Sequence, residues 1–174
     1  AMGRLKDNCR TLAQGMQLSP LFEEKISDTY IDTIELAAPL CDIGNIGIPR
    51  EILQKKDALT EEDESILREH TLIGAEILEE IRSSSDYNEF IIIAEEIVLC
   101  HHEKWDGSGY PRGLKGEEIP LSARIISLMS RYCELIGEEN LSAREALSVM
   151  EKEAGVRYDP DIYRICCKIF RQLR

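Results

Sequence analysis

Apolar residues recur at intervals of three and four along almost the whole chain, and this single pattern limits the fold to packed helices. Leu5, Cys9, Leu12 and Met16 fall on one helical face. Ile26, Tyr30, Ile34, Ala37, Ala38 and Cys41 continue the pattern, as do Ile66, Ile73, Ile77 and Ile81. Ile93, Ala94, Ile97 and Val98 follow, then Ile125, Ile126, Met129, Tyr132 and Cys133, then Ile162, Ile165, Ile169 and Phe170. No segment alternates long enough to read as a strand. The expectation is an all-α bundle of about seven helices in one domain.

Helix starts are marked by short polar residues. Ser19-Pro20 reads as an N-cap followed by proline in the first turn, and Thr60 with Asp63 and Ser142 with Glu145 read as capping boxes. Asp159-Pro160 starts the last helix by the same logic. Gly44, Gly47 and Pro49 interrupt the second helix, and SSSDYN from Ser83 reads as a loop. The sharpest interruption is HHEKWDGSGYPRGLKGEEIP, residues 101–120, with four glycines and two prolines. Those glycines suit turns with positive φ, and Trp105 suits a core anchor.

Composition removes several function classes. A net charge of −12 disfavours DNA or RNA, whose phosphates need basic surfaces. No apolar run reaches membrane-spanning length and no signal peptide opens the chain, so the expectation is a cytoplasmic protein with no membrane contact. The six cysteines form no CxxC pair and read as reduced core residues. Ala1-Met2-Gly3 reads as an expression scar, leaving 4–174 as one domain, expected to be a fragment of a larger protein.

The chemistry concentrates in the histidines. There are three, His70, His101 and His102, and all lie on apolar helical faces. One such histidine is ordinarily a satisfied core residue; three together suggest a shared metal. Asp42 is a candidate fourth ligand, with a plain helix-end or turn aspartate as the alternative. A His/Asp set suits Fe, Mn, Ni or Zn.

CDIGNIGIPREIL from Cys41, LTEEDESILREHTLIGAEIL from Leu59 and HHEKWDGSGYPRGLKGEEIPLSARI from His101 together resemble the HD-GYP family. The resemblance runs from about residue 10 to Pro160. It implies an HD-domain helical bundle with a Gly-rich GYP loop. Active members are metal-dependent phosphohydrolases that cleave cyclic di-GMP at a centre of two or three metals.

Matched residue by residue, the resemblance is uneven. Asp42, His70, His101 and His102 match the ligands of one metal, which implies one divalent ion, or none if the site is vestigial. The second metal is implied to need a first-helix histidine, falling at or before Ala1, the first-motif histidine, the shared aspartate and a late aspartate. Cys41 stands at the motif histidine and Ser130 at the late aspartate. Asn45 stands at the motif lysine, and IGEENL from Ile136 replaces a basic string. The resemblance therefore points to a degenerate, catalytically weak or inactive member in cyclic di-GMP signalling. An active phosphodiesterase using the surviving site, and a metal-free dimerisation or interaction domain, are the competing readings. Gly109, Tyr110, Pro111, Arg112 and Lys115 form the substrate or partner loop, with Tyr110-Pro111-Arg112 expected at its tip. The partners implied are a weakly bound cyclic dinucleotide, a diguanylate-cyclase-type domain, or a second copy in a homodimer.

Overall fold

The computed structural model describes residues 2–83 and 89–174. The expected SSSDYN loop falls almost wholly outside them. Nine α-helices are present among the described residues, against the expected seven or so. They are α1 (Met2–Gln17), α2 (Asp28–Ala37), α3 (Arg50–Leu53), α4 (Glu61–Arg68), α5 (His70–Ser83), α6 (Glu89–Cys100), α7 (Leu121–Gly137), α8 (Ala143–Glu151) and α9 (Pro160–Ile169). Short 3₁₀ turns at Ala38–Leu40 and Ile43–Gly47 join α2 to α3. No strand forms among the described residues beyond two isolated bridges, Asp106 with Lys115 and Ala154 with Tyr158.

The extra elements have local causes. Pro20 does not open α2: residues 20–25 form turns, and the cap is Ser27, whose side chain accepts the Tyr30 amide. The helix expected to run from Thr60 through Ile81 is two helices that part at Glu69. Its buried face is also different. His70, Thr71, Gly74 and Leu78 point inward, while Ile81 is exposed. The caps at Thr60, Ser142 and Asp159 form as expected, and both capping boxes close.

α1 runs through the centre of the bundle. Cys9, Leu12 and Met16 are fully buried, and α2, α7 and α9 pack around them. α6 is nearly as enclosed, with Ile93, Ala94, Ile97 and Val98 all in the core. Burying an aliphatic side chain of this size contributes about 1.5–3 kcal/mol. The core therefore holds the C-terminal end of α6 rigidly, where His101 and His102 emerge. A buried ion pair, Arg124 to Asp159 at 2.9 Å, ties α7 to the start of α9.

Candidate metal centre

Asp42 sits between the two 3₁₀ turns, and glycine decides where that puts it. A Cβ on Gly44 would fall 1.7 Å from the His70 carbonyl oxygen. A Cβ on Gly74 would fall 2.4 Å from a Val98 methyl and 3.2 Å from the Gly44 nitrogen. Only glycine permits this approach. The turn, the start of α5 and the end of α6 are thereby pressed together, which carries Asp42 to the histidines.

Asp42, His70, His101 and His102 each offer one ligand atom, and these atoms all lie within 4.8 Å of one another. His101 Nε2 is 3.3 Å and His70 Nδ1 3.7 Å from Asp42 Oδ1. His70 and His101 are buried, whereas His102 and Asp42 are partly exposed. His101 Nδ1 faces the carbonyls of Ile97 at 2.9 Å and Val98 at 3.1 Å, so it carries a proton and donates. Its Nε2 then meets a carboxylate with a lone pair unless a second proton or a metal ion lies between them. This arrangement, with the remote ring nitrogen anchored on backbone, is the usual one for metal-ligating histidine.

Two further features fit a metal. His70 Nδ1 is buried with no hydrogen-bond partner. Protonation states also match what ligation requires. Burial pushes His70 down, and burial together with the neighbouring imidazoles pushes His102 down to about 2, so both rings stay neutral. The His101 hydrogen bond, opposed by burial and aided by all three rings, holds Asp42 below the usual carboxylate range. Three nitrogens and one oxygen suit a borderline divalent ion.

The opposite side of Asp42 is different. A cavity of about 500 Å³ opens there, lined by Arg4, Leu5, Cys41, Asp42, Ser130 and Cys133 among others. α1 itself forms part of this wall. It contributes Arg4 and Leu5, and the ligand position expected at or before Ala1 lies outside the described residues. Burial pushes the Cys41 thiol up to about 12, so it is no ready thiolate ligand. Asn45 buries its amide oxygen without a partner and offers no cation. A smaller cavity of about 110 Å³ joins His101 and His102 to Ser127, Ser130, Lys104, Arg131 and Arg157. Two of its cations are committed to Glu153, at 3.1 Å from Arg131 and 3.0 Å from Arg157.

The GYP loop folds inward, where a docking tip was expected. The Tyr110 ring stacks on His102, with centroids 4.9 Å apart and planes 11° apart. Arg68, the last residue of α4, lies over the Tyr110 ring at 4.9 Å. The Tyr110 amide donates to the His102 carbonyl at 3.2 Å. Gly109 allows this, since a Cβ there would fall 2.4 Å from both His102 O and Lys104 N. Pro111 is half-buried, and of the expected docking residues only Arg112 and Lys115 are exposed. Trp105 is half-buried and bridges to Arg157 and Gly116 through its backbone.

Sequence reasoning missed Gly74, Arg68 and Glu103. Glu103 is 2% exposed and accepts the amides of Arg112 at 3.0 Å and Leu114 at 3.1 Å. The available signal was a carboxylate placed directly after the histidine pair and ahead of an apolar loop anchor. For Arg68 there was none.

Comparison with known proteins agrees with this architecture. The HD domain family pattern matches residues 8–162. A Vibrio cholerae protein named "Probable cyclic di-GMP phosphodiesterase" is 41% identical over 162 residues, covering 90% of this chain and 37% of that protein. A "Cyclic di-GMP phosphodiesterase" of Thermotoga maritima is 38% identical over 155 residues, covering 87% of this chain and 41% of its own length. The chain thus spans about two fifths of these relatives. Among solved structures, Bd1817, an HDG"Y"P protein from Bdellovibrio bacteriovorus, superposes with a TM-score of 0.70 at 21% identity. That match covers 98% of this chain and 53% of the other, and it shows a shared fold. With the family pattern spanning most of its length and the GYP loop closed on a histidine cluster, the chain belongs to the HD domain family, in its HD-GYP branch.

Proposed function

We propose that this chain is an HD-GYP domain of weak or absent hydrolytic activity that keeps one divalent ion and acts as a regulatory module in bacterial cyclic di-GMP signalling. The observation that carries this reading is the asymmetry around Asp42. Three imidazoles gather on one side of it. On the other side the cavity lining holds no imidazole, and its two further carboxylates, Glu134 and Glu138, do not gather with Asp42 into a metal-holding group among the described residues. His70, His101 and His102 would hold the ion with Asp42, and Fe, Mn, Ni or Zn would fit. When bound, it would supply Lewis acidity and a more acidic coordinated water.

The chain's own residues do less than hydrolysis needs. Asp42 holds His101 in register, and the Ile97 and Val98 carbonyls fix its remote nitrogen. Among the described residues no second group of ligands gathers on the cavity side to clamp another ion, and Asn45 gives no charge to a phosphate. Losing one preorganised stabilising group typically costs ~10²–10³ in rate. Cyclic di-GMP is the dinucleotide class to test, because the relatives at 41% and 38% identity carry that activity in their names.

The test is product formation from cyclic di-GMP with Mn, Fe, Ni or Mg supplied anaerobically. Background turnover is expected. Robust metal-dependent turnover abolished by His102→Ala would instead establish an active phosphodiesterase running on the four-residue site. Absence of bound metal by elemental analysis, with no rebinding, would leave the metal-free interaction domain.

A further inference from the structure

We infer that Glu103 is a positioning residue of this centre: by holding the GYP loop closed, it keeps Tyr110 on His102 and so sets the orientation of that imidazole. His101 is oriented by hydrogen bonds from Nδ1 to two carbonyls of its own helix. His102 is oriented by rings. Tyr110 stacks on it nearly parallel at 4.9 Å, His101 lies at 4.2 Å and His70 at 4.9 Å. The Tyr110 stack is the contact that comes from outside the cluster.

That stack depends on the loop returning to its starting point. The chain leaves at His102, passes Gly109 against the backbone of residues 102–104, and places Tyr110 over the ring. Beyond Tyr110 the loop is tied back at Lys115 by its bridge to Asp106 and at Gly116 by its amide on the Trp105 carbonyl at 2.9 Å, but the stretch between them and Tyr110 still needs a stop against lifting away. Glu103 supplies the stop. Its two oxygens accept one amide each, from Arg112 and Leu114, and so pin the returning strand on both sides of Gly113. A carboxylate at this depth needs hydrogen-bond partners, and the two loop amides provide them. The carboxylate thus connects residues 112–114 to the backbone adjoining His102. Arg68 completes the arrangement by covering the outer face of Tyr110 from α4.

The inference rests on the metal-centre reading for the use made of His102, though its geometric content stands apart. Two readouts separate them. The first is NMR of the metal-free chain with isotope-labelled histidine. Stacking by Tyr110 should shift the His102 ring protons upfield. Tyr110→Leu should abolish that shift and Glu103→Ala should reproduce the change. The double variant should add nothing, and Glu103→Gln, which keeps one acceptor, should fall between. Unchanged His102 signals in folded Glu103→Gln, or additive changes in the double variant, overturn the proposal; a merely structural glutamate would lower the melting temperature without moving this ring selectively. Should Glu103→Ala fail to fold, Glu103→Gln and Tyr110→Leu carry the comparison. The second readout is zinc titration. Loss of an orienting partner typically weakens metal binding 10–100-fold, and that loss is expected in Glu103→Gln. Wild-type zinc affinity in that variant overturns the positioning role and leaves the metal centre intact. A wild-type chain that binds no zinc defeats the metal reading, while the His102 resonances still decide the clamp.

Discussion

Nε2 of His101 lies 3.3 Å from Oδ1 of Asp42, across 59 positions of sequence. Neither residue has another reason to be there. Asp42 makes no cap hydrogen bond for the 3₁₀ turn it precedes, and the His101 ring is already anchored through its other nitrogen. The pair, with His70 and His102, is a set of donors pointing at one place.

Metal should therefore stabilise the fold. An ion present at 100 times its dissociation constant contributes about 2.7 kcal/mol. For a chain of this size that raises the melting temperature by roughly 5–10 °C. His70→Ala should abolish the rise. Thermal denaturation with zinc and with chelator, alongside elemental analysis, checks both outcomes. An equal melting temperature in the two conditions would show the site to be vestigial.

Gly44→Ala should be among the most damaging small substitutions in the chain. The new methyl carbon would overlap the His70 carbonyl at 1.7 Å, and both partners are backbone. A loss of about 3 kcal/mol or more is expected, in the range of severe steric defects. Gly74→Ala meets a Val98 methyl at 2.4 Å, where a side chain has some room to adjust. Its cost should be smaller. Urea denaturation of the two variants ranks them, and Gly44→Ala should also lose metal affinity because Asp42 is displaced.

The contrast between these glycines shows what was legible in the sequence. The α1 and α6 stripes were readable because every third or fourth residue faces one core. The capping boxes at Thr60 and Ser142 were readable because their chemistry is local. Ser19-Pro20 has the same local chemistry and failed, since turns over residues 20–25 precede the real cap at Ser27. The α5 stripe failed for a long-range reason. Gly44 presses against Gly74, so the small residues turn inward, Ile73 and Ile77 are left half-buried and Ile81 is exposed. The cluster of Asp42 with the three histidines was visible because Asp and His are rare on apolar faces. The inward fold of Tyr110 and the grip of Glu103 were not, because both depend on a loop returning to its own origin.

Acid should weaken the metal-free fold, starting below the ordinary histidine range. His70 and His102 are depressed by burial, from an unfolded value of 6.5 to about 2 for His102. A depressed group contributes stability that is present above its unfolded value and lost as pH falls toward its folded one. Asp42 is also depressed, so it adds to the loss below 3.8. Stability of the chelated protein should be level above about pH 7 and decline steadily from there into the acid range. His102→Gln should flatten the upper part of that decline. Denaturant midpoints measured from pH 8 to pH 4 give the comparison.

Hydrolysis should not return when one position is repaired. The cavity beside Asp42 is walled by groups from three separate elements: Leu5 on α1, Cys41 before the 3₁₀ turn, and Ser130 with Cys133 on α7. Restoring one ligand leaves the other replaced positions without an imidazole or carboxylate, and ligands of one centre act as a unit, so their effects do not add. Cys41→His alone should stay near background with cyclic di-GMP and manganese. In a chain extended at its N-terminus, the combination Cys41→His, Asn45→Lys and Ser130→Asp should bind more metal per chain than the parent and show measurable turnover. Elemental analysis and product formation on the same preparations give both numbers. Substantial activity from Cys41→His alone would mean that the four-residue cluster needs only one further ligand, and the domain would then be one substitution away from an enzyme.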